Sequence, residues 1–294
     1  MLSRRSLLRA GPAAVTCLAF KAHALTDDDD TALMAKRRID VAGYQRTRVK
    51  RIAKAACFAR AGVTPAKDLA IIADETTAFT NVLRALRSGN PAIGIGRETK
   101  GRVLDALRPV QTLWLPYSER AAALVEGPSI DDILLRGLVE DEPAVHAAMN
   151  DAVSAIEQAY GGDDLPLHLA VATNLAGRQR SLSQEIAKDI CLIGLGEQTE
   201  EAIALLDRSL NVFENTHTAL SQGMPMLGIR PPEQPRLVQA YENVSTLFAE
   251  LKSAAEQVRT ARVADAALIA EVGEMADRLL AASDIAVKLY VGES

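Results

Sequence analysis

The chain has 294 residues, 33 Lys and Arg against 38 Asp and Glu, with 48% apolar and only 4% aromatic residues. At roughly 150 residues per domain this is about two domains, each long enough to bury a core. The shortage of aromatic and β-branched residues beside abundant Ala and Leu disfavours an all-β fold. A net charge of -5 lacks the basic field that non-specific nucleic-acid binding requires.

Residues 1–24 read as a targeting segment. Ser3-Arg4-Arg5-Ser6-Leu7-Leu8 is a twin-arginine pattern, followed by the mildly apolar run 10–20 and the small-x-small sequence Ala22-His23-Ala24. This predicts export to the periplasm by the twin-arginine route with Leu25 as the mature N-terminus; a helical arm is the alternative, and Val15-Thr16 before Cys17 make a poor lipobox. Cleavage removes Arg4, Arg5, Arg9 and Lys21 and no acid, which leaves the mature chain more acidic still. No later apolar run approaches the ~20 residues needed to cross a bilayer, so the mature chain is expected to be soluble, with no membrane insertion.

The mature sequence aligns with itself at an offset of 134. Ala42-Gly43-x-Gln45-Arg46 falls on Ala176-Gly177-x-Gln179-Arg180, Cys57 on Cys191, Phe79 on Phe213, Gly89-x-Pro91-x-x-Gly94 on Gly223-x-Pro225-x-x-Gly228, and Thr112-Leu113-Trp114 on Thr246-Leu247-Phe248. One offset held through helices and turns marks a tandem duplication. The expected domains are 25–160 and 161–294, with Gly161-Gly162-Asp163-Asp164 as the linker.

Breakers divide each half into four helices, predicted at 31–61, 65–88, 98–125 and 129–160, then 165–195, 198–222, 231–260 and 263–292. Thr64-Pro65 supplies an N-cap with proline at the first helical position, and Ser129-x-x-Asp132 a near capping box. The predicted fold is all-α: two tandem antiparallel four-helix bundles. The repeated Gly-x-Pro-x-x-Gly connections at 89–97 and 223–230 are expected to cap one end of each bundle, with a ligand loop as the alternative.

The first helix of each half carries the most specific pattern. Leu175, Leu182, Ile186 and Ile190 form an apolar stripe, and Asn174, Gly177, Arg180 or Ser181, Gln184, Ala187 and Cys191 line another side with small or polar residues. Asp40, Gly43, Arg46 or Thr47, Lys50, Ala53 or Lys54, and Cys57 repeat it. Mid-helix glycine costs ~1 kcal/mol relative to alanine, so Gly43 and Gly177 predict a close backbone approach.

The run from Asn174 to Lys188 resembles the signature first helix of the PilJ-type domain at the N-terminus of type IV pilus chemoreceptors, and is similar to the P-box helix of nitrate sensor kinases and to nitrate- and nitrite-sensing domains of antiterminators. In the nitrate-sensing members this resemblance implies two such helices meeting about a twofold axis, with an arginine from each holding one nitrate. The matching positions are Arg180 and Arg46. Tyr44 stands where the second half has Arg178, and Val49-Lys50 where it has Ser183-Gln184, which fits one pseudo-symmetric site better than two equal ones. Gly43 and Gly177 would admit the helices, and Gln45 and Gln179 are candidate extra donors. The guanidinium fork matches the edges of a planar oxyanion; the competing expectation is that both arginines pair with nearby acids.

Cys57 and Cys191 occupy equivalent positions: a disulfide if the first helices cross near them, otherwise two buried small residues. There is no Cys-x-x-Cys, His-x-x-x-His or glycine-rich phosphate loop, His146, His168 and His217 are scattered, and no catalytic constellation can be picked out. The expectation is a non-enzyme with no cofactor or metal: a periplasmic binding protein for a small anion, nitrate or nitrite. The sequence stops just after the eighth predicted helix, so its signal would pass through a membrane sensor, chemoreceptor or transporter. The rival expectation is a ligand-free helical docking protein for pilus, chemotaxis or transport assemblies.

Overall fold

The computed structural model describes residues 27–127, 130–162, 165–197 and 199–292. The twin-arginine segment, Ser129, and Asp163 and Asp164 of the expected linker lie outside them. Eight helices follow in order: α1 Asp27–Ala61, α2 Pro65–Ser88, α3 Gly101–Glu126, α4 Asp132–Tyr160, α5 Leu167–Leu195, α6 Thr199–Gln222, α7 Pro235–Ala261 and α8 Ala266–Val291. The described residues contain no β-strand beyond three isolated bridges, and none of their helices is long and apolar enough to cross a membrane.

Local chemistry sets the helix ends. Asp131 caps α4 by accepting from the Ile133 and Leu134 amides, one residue before the helix rather than at the expected serine. Thr64 does occupy the N-cap of α2, yet its hydroxyl donates to Asp68 instead of capping an amide. The repeated connections fold as matched turns. Pro91–Ile93 and Pro225–Leu227 are single 3-10 turns closed by the bridges Asn90–Ile95 and Met224–Ile229, and Ile95 and Ile229 are buried beneath them. Gly89 and Gly223 hold φ of 83° and 87°, a region where side chains are strained. In the first half, Arg38 of α1 anchors the connection by donating to Leu86 O and Gly96 O and pairing with Glu98 at 2.9 Å.

Within each half the helices pack in a ring, α1-α2-α3-α4 and α5-α6-α7-α8. The duplication is visible in the packing: Phe79 stacks on Trp114 at 3.8 Å between centroids, and Phe213 stacks on Phe248 at 4.2 Å, each pair shifted by the repeat offset. The most extensive contact in the molecule joins the halves, α1 against α5, and one apolar core runs through it from bundle to bundle. Residues at equal repeat positions meet at both ends of this seam, so α1 and α5 run parallel about a local twofold axis along their length. Between neighbours on every side, α5 is buried nearly all round from Ala176 to Ile193. That burial explains why its sequence shows two usable faces rather than one.

Candidate functional site

Arg46 and Arg180 converge. Their Nη2 atoms lie 3.3 and 3.8 Å from where a Cβ on Gly43 would stand, and both lie 3.3 Å from the corresponding point on Gly177. The two guanidinium groups therefore sit side by side over the two glycines, fully enclosed. What the missing Cβ atoms admit here is these side-chain ends rather than the facing backbone. Gln45 and Gln179 follow their glycines by two residues, about 200° around the helix, and are buried on the opposite face; Gln45 donates to Val41 O on its own helix. Neither joins the arginines.

The partners of the arginines break the symmetry. Arg180 Nη1 donates to Asp284 Oδ1 and Nη2 to Asp40 Oδ1, both at 2.7 Å, and its guanidinium lies 4.9 Å over the Tyr44 ring. Arg46 Nη1 donates to Asn150 Oδ1 at 3.0 Å, while Nη2 and Nε reach the carbonyls of Asn174 and Gly43 at 3.3 Å. The repeat offset carries Asp40 onto Asn174 and Asn150 onto Asp284. Each carboxylate that neutralises Arg180 thus has a neutral amide as its counterpart around Arg46. The expected pairing with acids holds for Arg180; among the described residues Arg46 has no such ion pair.

Electrostatics follow. Burial alone would lower the pKa of Arg180, but Asp40 and Asp284 outweigh it and the guanidinium binds its proton more tightly than usual. Burial, then the like charges of Arg178 and Arg180, bring Arg46 down to about 9 against the opposing pull of Glu157. Glu157 itself accepts from the Asn174 amide. Arg46 remains charged at neutral pH, enclosed, with only neutral acceptors bonded to it, an arrangement that costs several kcal/mol unless a counter-charge arrives.

One to two turns further along the seam lies a second buried charge cluster. Glu142 of α4, wholly enclosed, bridges Lys50 of α1 at 2.7 Å and Lys188 of α5 at 2.9 Å; Lys50 also meets Glu185 at 2.6 Å. Asp189 is buried 3.3 Å from Lys188 without hydrogen-bond geometry, and burial pushes its carboxyl up to about 7. On the same face of α4, between Glu142 and Asn150, His146 is driven down to about 3 by burial and by Lys50, with Arg46 and Arg178 adding to the effect. Lys54 pairs with Asp277 of α8 at 2.6 Å, so each lysine of the pair Lys54 and Lys188 reaches the fourth helix of the other half.

Near the C-terminal ends of α1 and α5, Cys57 and Cys191 form a disulfide with Cα atoms 6.2 Å apart. The residues that the motif alone did not single out are Asn150, Asp284 and Glu142, all on fourth helices. Asn150 and Asp284 carried a usable signal, since both are polar and stand one repeat offset apart.

No curated protein and no solved structure matches the chain. The family profile described as PilJ, type IV pili methyl-accepting chemotaxis transducer N-terminal, matches residues 31–136 and 167–275, one segment in each half. With one match in each half, together covering most of the chain and including the helices that frame the arginine seam, the protein belongs to the PilJ family.

Proposed function

We propose that this protein is an exported sensory protein that binds one small oxyanion, nitrate or nitrite, at the arginine seam between α1 and α5 and passes the signal to a membrane partner such as a chemoreceptor. The observation that carries the reading is the convergence of Arg46 and Arg180 over Gly43 and Gly177, with Arg46 enclosed and bonded only to neutral acceptors. A planar anion supplies the counter-charge and accepts the paired donors of a guanidinium. Because the seam joins the two bundles, an anion that binds one packing of α1 on α5 better than another shifts the population between them. Family membership supports the sensory role, and the twin-arginine pattern of residues 1–24 supports export.

The test is thermal unfolding of the purified protein against nitrate, nitrite, chloride, sulfate and small organic anions at matched ionic strength. An anion at 100 times its dissociation constant stabilises the native state by about 2.7 kcal/mol. A response to nitrate or nitrite that is lost in Arg46→Ala supports the reading, and a flat panel refutes it. The docking-protein reading draws on one feature of the second half: Met226 and Leu227 are exposed where the first half has Ala92 and Ile93. Pull-down with the double variant Met226→Ser/Leu227→Ser, compared with wild type, tests that surface.

A further inference from the structure

We infer that the anion seat lies off the local twofold axis, on Arg46 and Arg178 at the position now bridged by Asn150 Oδ1, and that Arg180 is a fixed internal counterpart rather than a second ligand arm. This rests on the anion-binding reading above and assigns its donors.

The geometry comes from comparing the two halves position by position. Asn150 Oδ1 accepts from Arg46 Nη1 at 3.0 Å and from Arg178 Nη2 at 3.2 Å, so donors from α1 and α5 converge on one neutral oxygen. In the other half the equivalent place is filled by Asp284 Oδ1, which accepts from Arg180 Nη1 at 2.7 Å. The second half therefore shows what chemistry this position accommodates: a planar group with a negatively charged oxygen, in hydrogen-bond contact with the arginine. Around Arg46 that place holds an amide, and α5 adds a second arginine, Arg178, where the counterpart beside Arg180 is Tyr44 of α1.

Arg180 keeps one unbonded buried donor, Nε, but its charge is already matched by two carboxylates. Its two Nη atoms are bonded to carboxylates and its face is stacked on Tyr44. Arg46 and Arg178 have no carboxylate within ion-pair distance among the described residues, and the acid that pulls on Arg46, Glu157, is held by Asn174. Beside them His146 Nε2 is buried without a hydrogen-bond partner. An oxyanion that takes over the bridging position joins two guanidinium groups through charge-assisted bonds, which are about twice as strong as the neutral ones they replace. It does for Arg46 what Asp284 does for Arg180.

Asparagine and aspartate have the same shape, so Asn150→Asp installs the anion's charge within the chain. The expected result is a higher Tm than wild type in anion-free buffer, together with loss of the anion-induced shift. Arg178→Tyr, which installs the residue of the other half, is expected to weaken anion affinity at least about tenfold, the effect of losing one charge-assisted bond. The probe is sodium nitrate against sodium chloride, read by thermal shift and titration calorimetry. If wild type responds and both variants respond equally, the off-axis seat is overturned while anion binding stands. If wild type itself does not respond, the anion reading falls and this assignment with it.

Discussion

Cleaving the Cys57–Cys191 bond is expected to destabilise the protein by about 5 kcal/mol at 25 °C, the loop-closure entropy released when a cross-link spanning 134 residues is removed. Such a large value arises because the bond joins equivalent positions of the two halves and so closes a loop as long as the whole repeat, 134 residues. Both cysteines are fully buried in the α1–α5 seam, so reduction leaves the apolar contacts of the native state in place and acts mainly on the unfolded chain. The assay is equilibrium urea unfolding of wild type with and without a phosphine reductant, following helix content. Two signatures are expected together: a lower midpoint, and a steeper dependence on denaturant, because the unlinked chain exposes more surface when it unfolds. A stability difference below about 1 kcal/mol would refute the entropic argument, and two titratable thiols in unreduced native protein would refute the bond.

Three further outcomes follow from the seam. Glu142→Gln removes the acid that bridges Lys50 and Lys188 and leaves Lys188 enclosed with only the poorly placed Asp189; a loss of about 3 kcal/mol is expected in denaturant unfolding at pH 7, and a loss below 1 would show the bridge to be dispensable. Burial raises the Asp189 carboxyl from 3.8 to about 7, so the folded state holds this proton more tightly than the unfolded chain, and stability falls as pH rises from about 4 through about 7. Asp189→Asn should remove that slope and gain at most about 4 kcal/mol at pH 8 while changing little at pH 4; parallel pH profiles for variant and wild type would count against it. Gly177→Ala places a Cβ 3.3 Å from both Nη2 atoms, the far ends of long side chains that must give by a few tenths of an ångström against their bonds to Asn174 O and Asp40. The fold is expected to survive, helped by the ~1 kcal/mol that alanine gains over glycine in a helix, while the nitrate-induced Tm shift is lost; an unchanged shift would remove the glycines from the site.

The helices and their duplication were legible because both depend on local signals. Gly89-x-Pro91-x-x-Gly94 and its repeat fix two matched turns, and Ala42-Gly43-x-Gln45-Arg46 fixes the register of the two first helices. The arginines and glycines were found for the same reason, as they lie on the most distinctive helix in each half. Gln45 and Gln179 were misplaced because closeness in sequence is not closeness on a helix: two residues of advance carry a side chain to the far face. Asn150, Glu142 and Asp284 reach the seam only through the packing of fourth helices against first ones, more than 90 residues away in sequence. In the sequence Arg178 is only a departure from symmetry, and its partner Asn150 is what gives that departure a chemical meaning.

The duplication permits what a symmetric dimer does not. In a homodimer every change appears twice, so an arginine pair on the axis is either neutralised on both sides or on neither. Here the halves have diverged, and one arginine is held by Asp40 and Asp284 while the other is left among amides. The same divergence governs motion. Gly43 and Cys57 are 14 residues apart on one helix, about 21 Å at 1.5 Å per residue, and the disulfide ties α1 to α5 near their C-terminal ends. Any displacement of one first helix against the other on filling the charged seam is therefore a pivot about that bond. It is smallest at Cys57 and grows toward the N-terminal ends of α1 and α5, so that Arg46, 11 residues before Cys57 near the middle of α1, is already displaced.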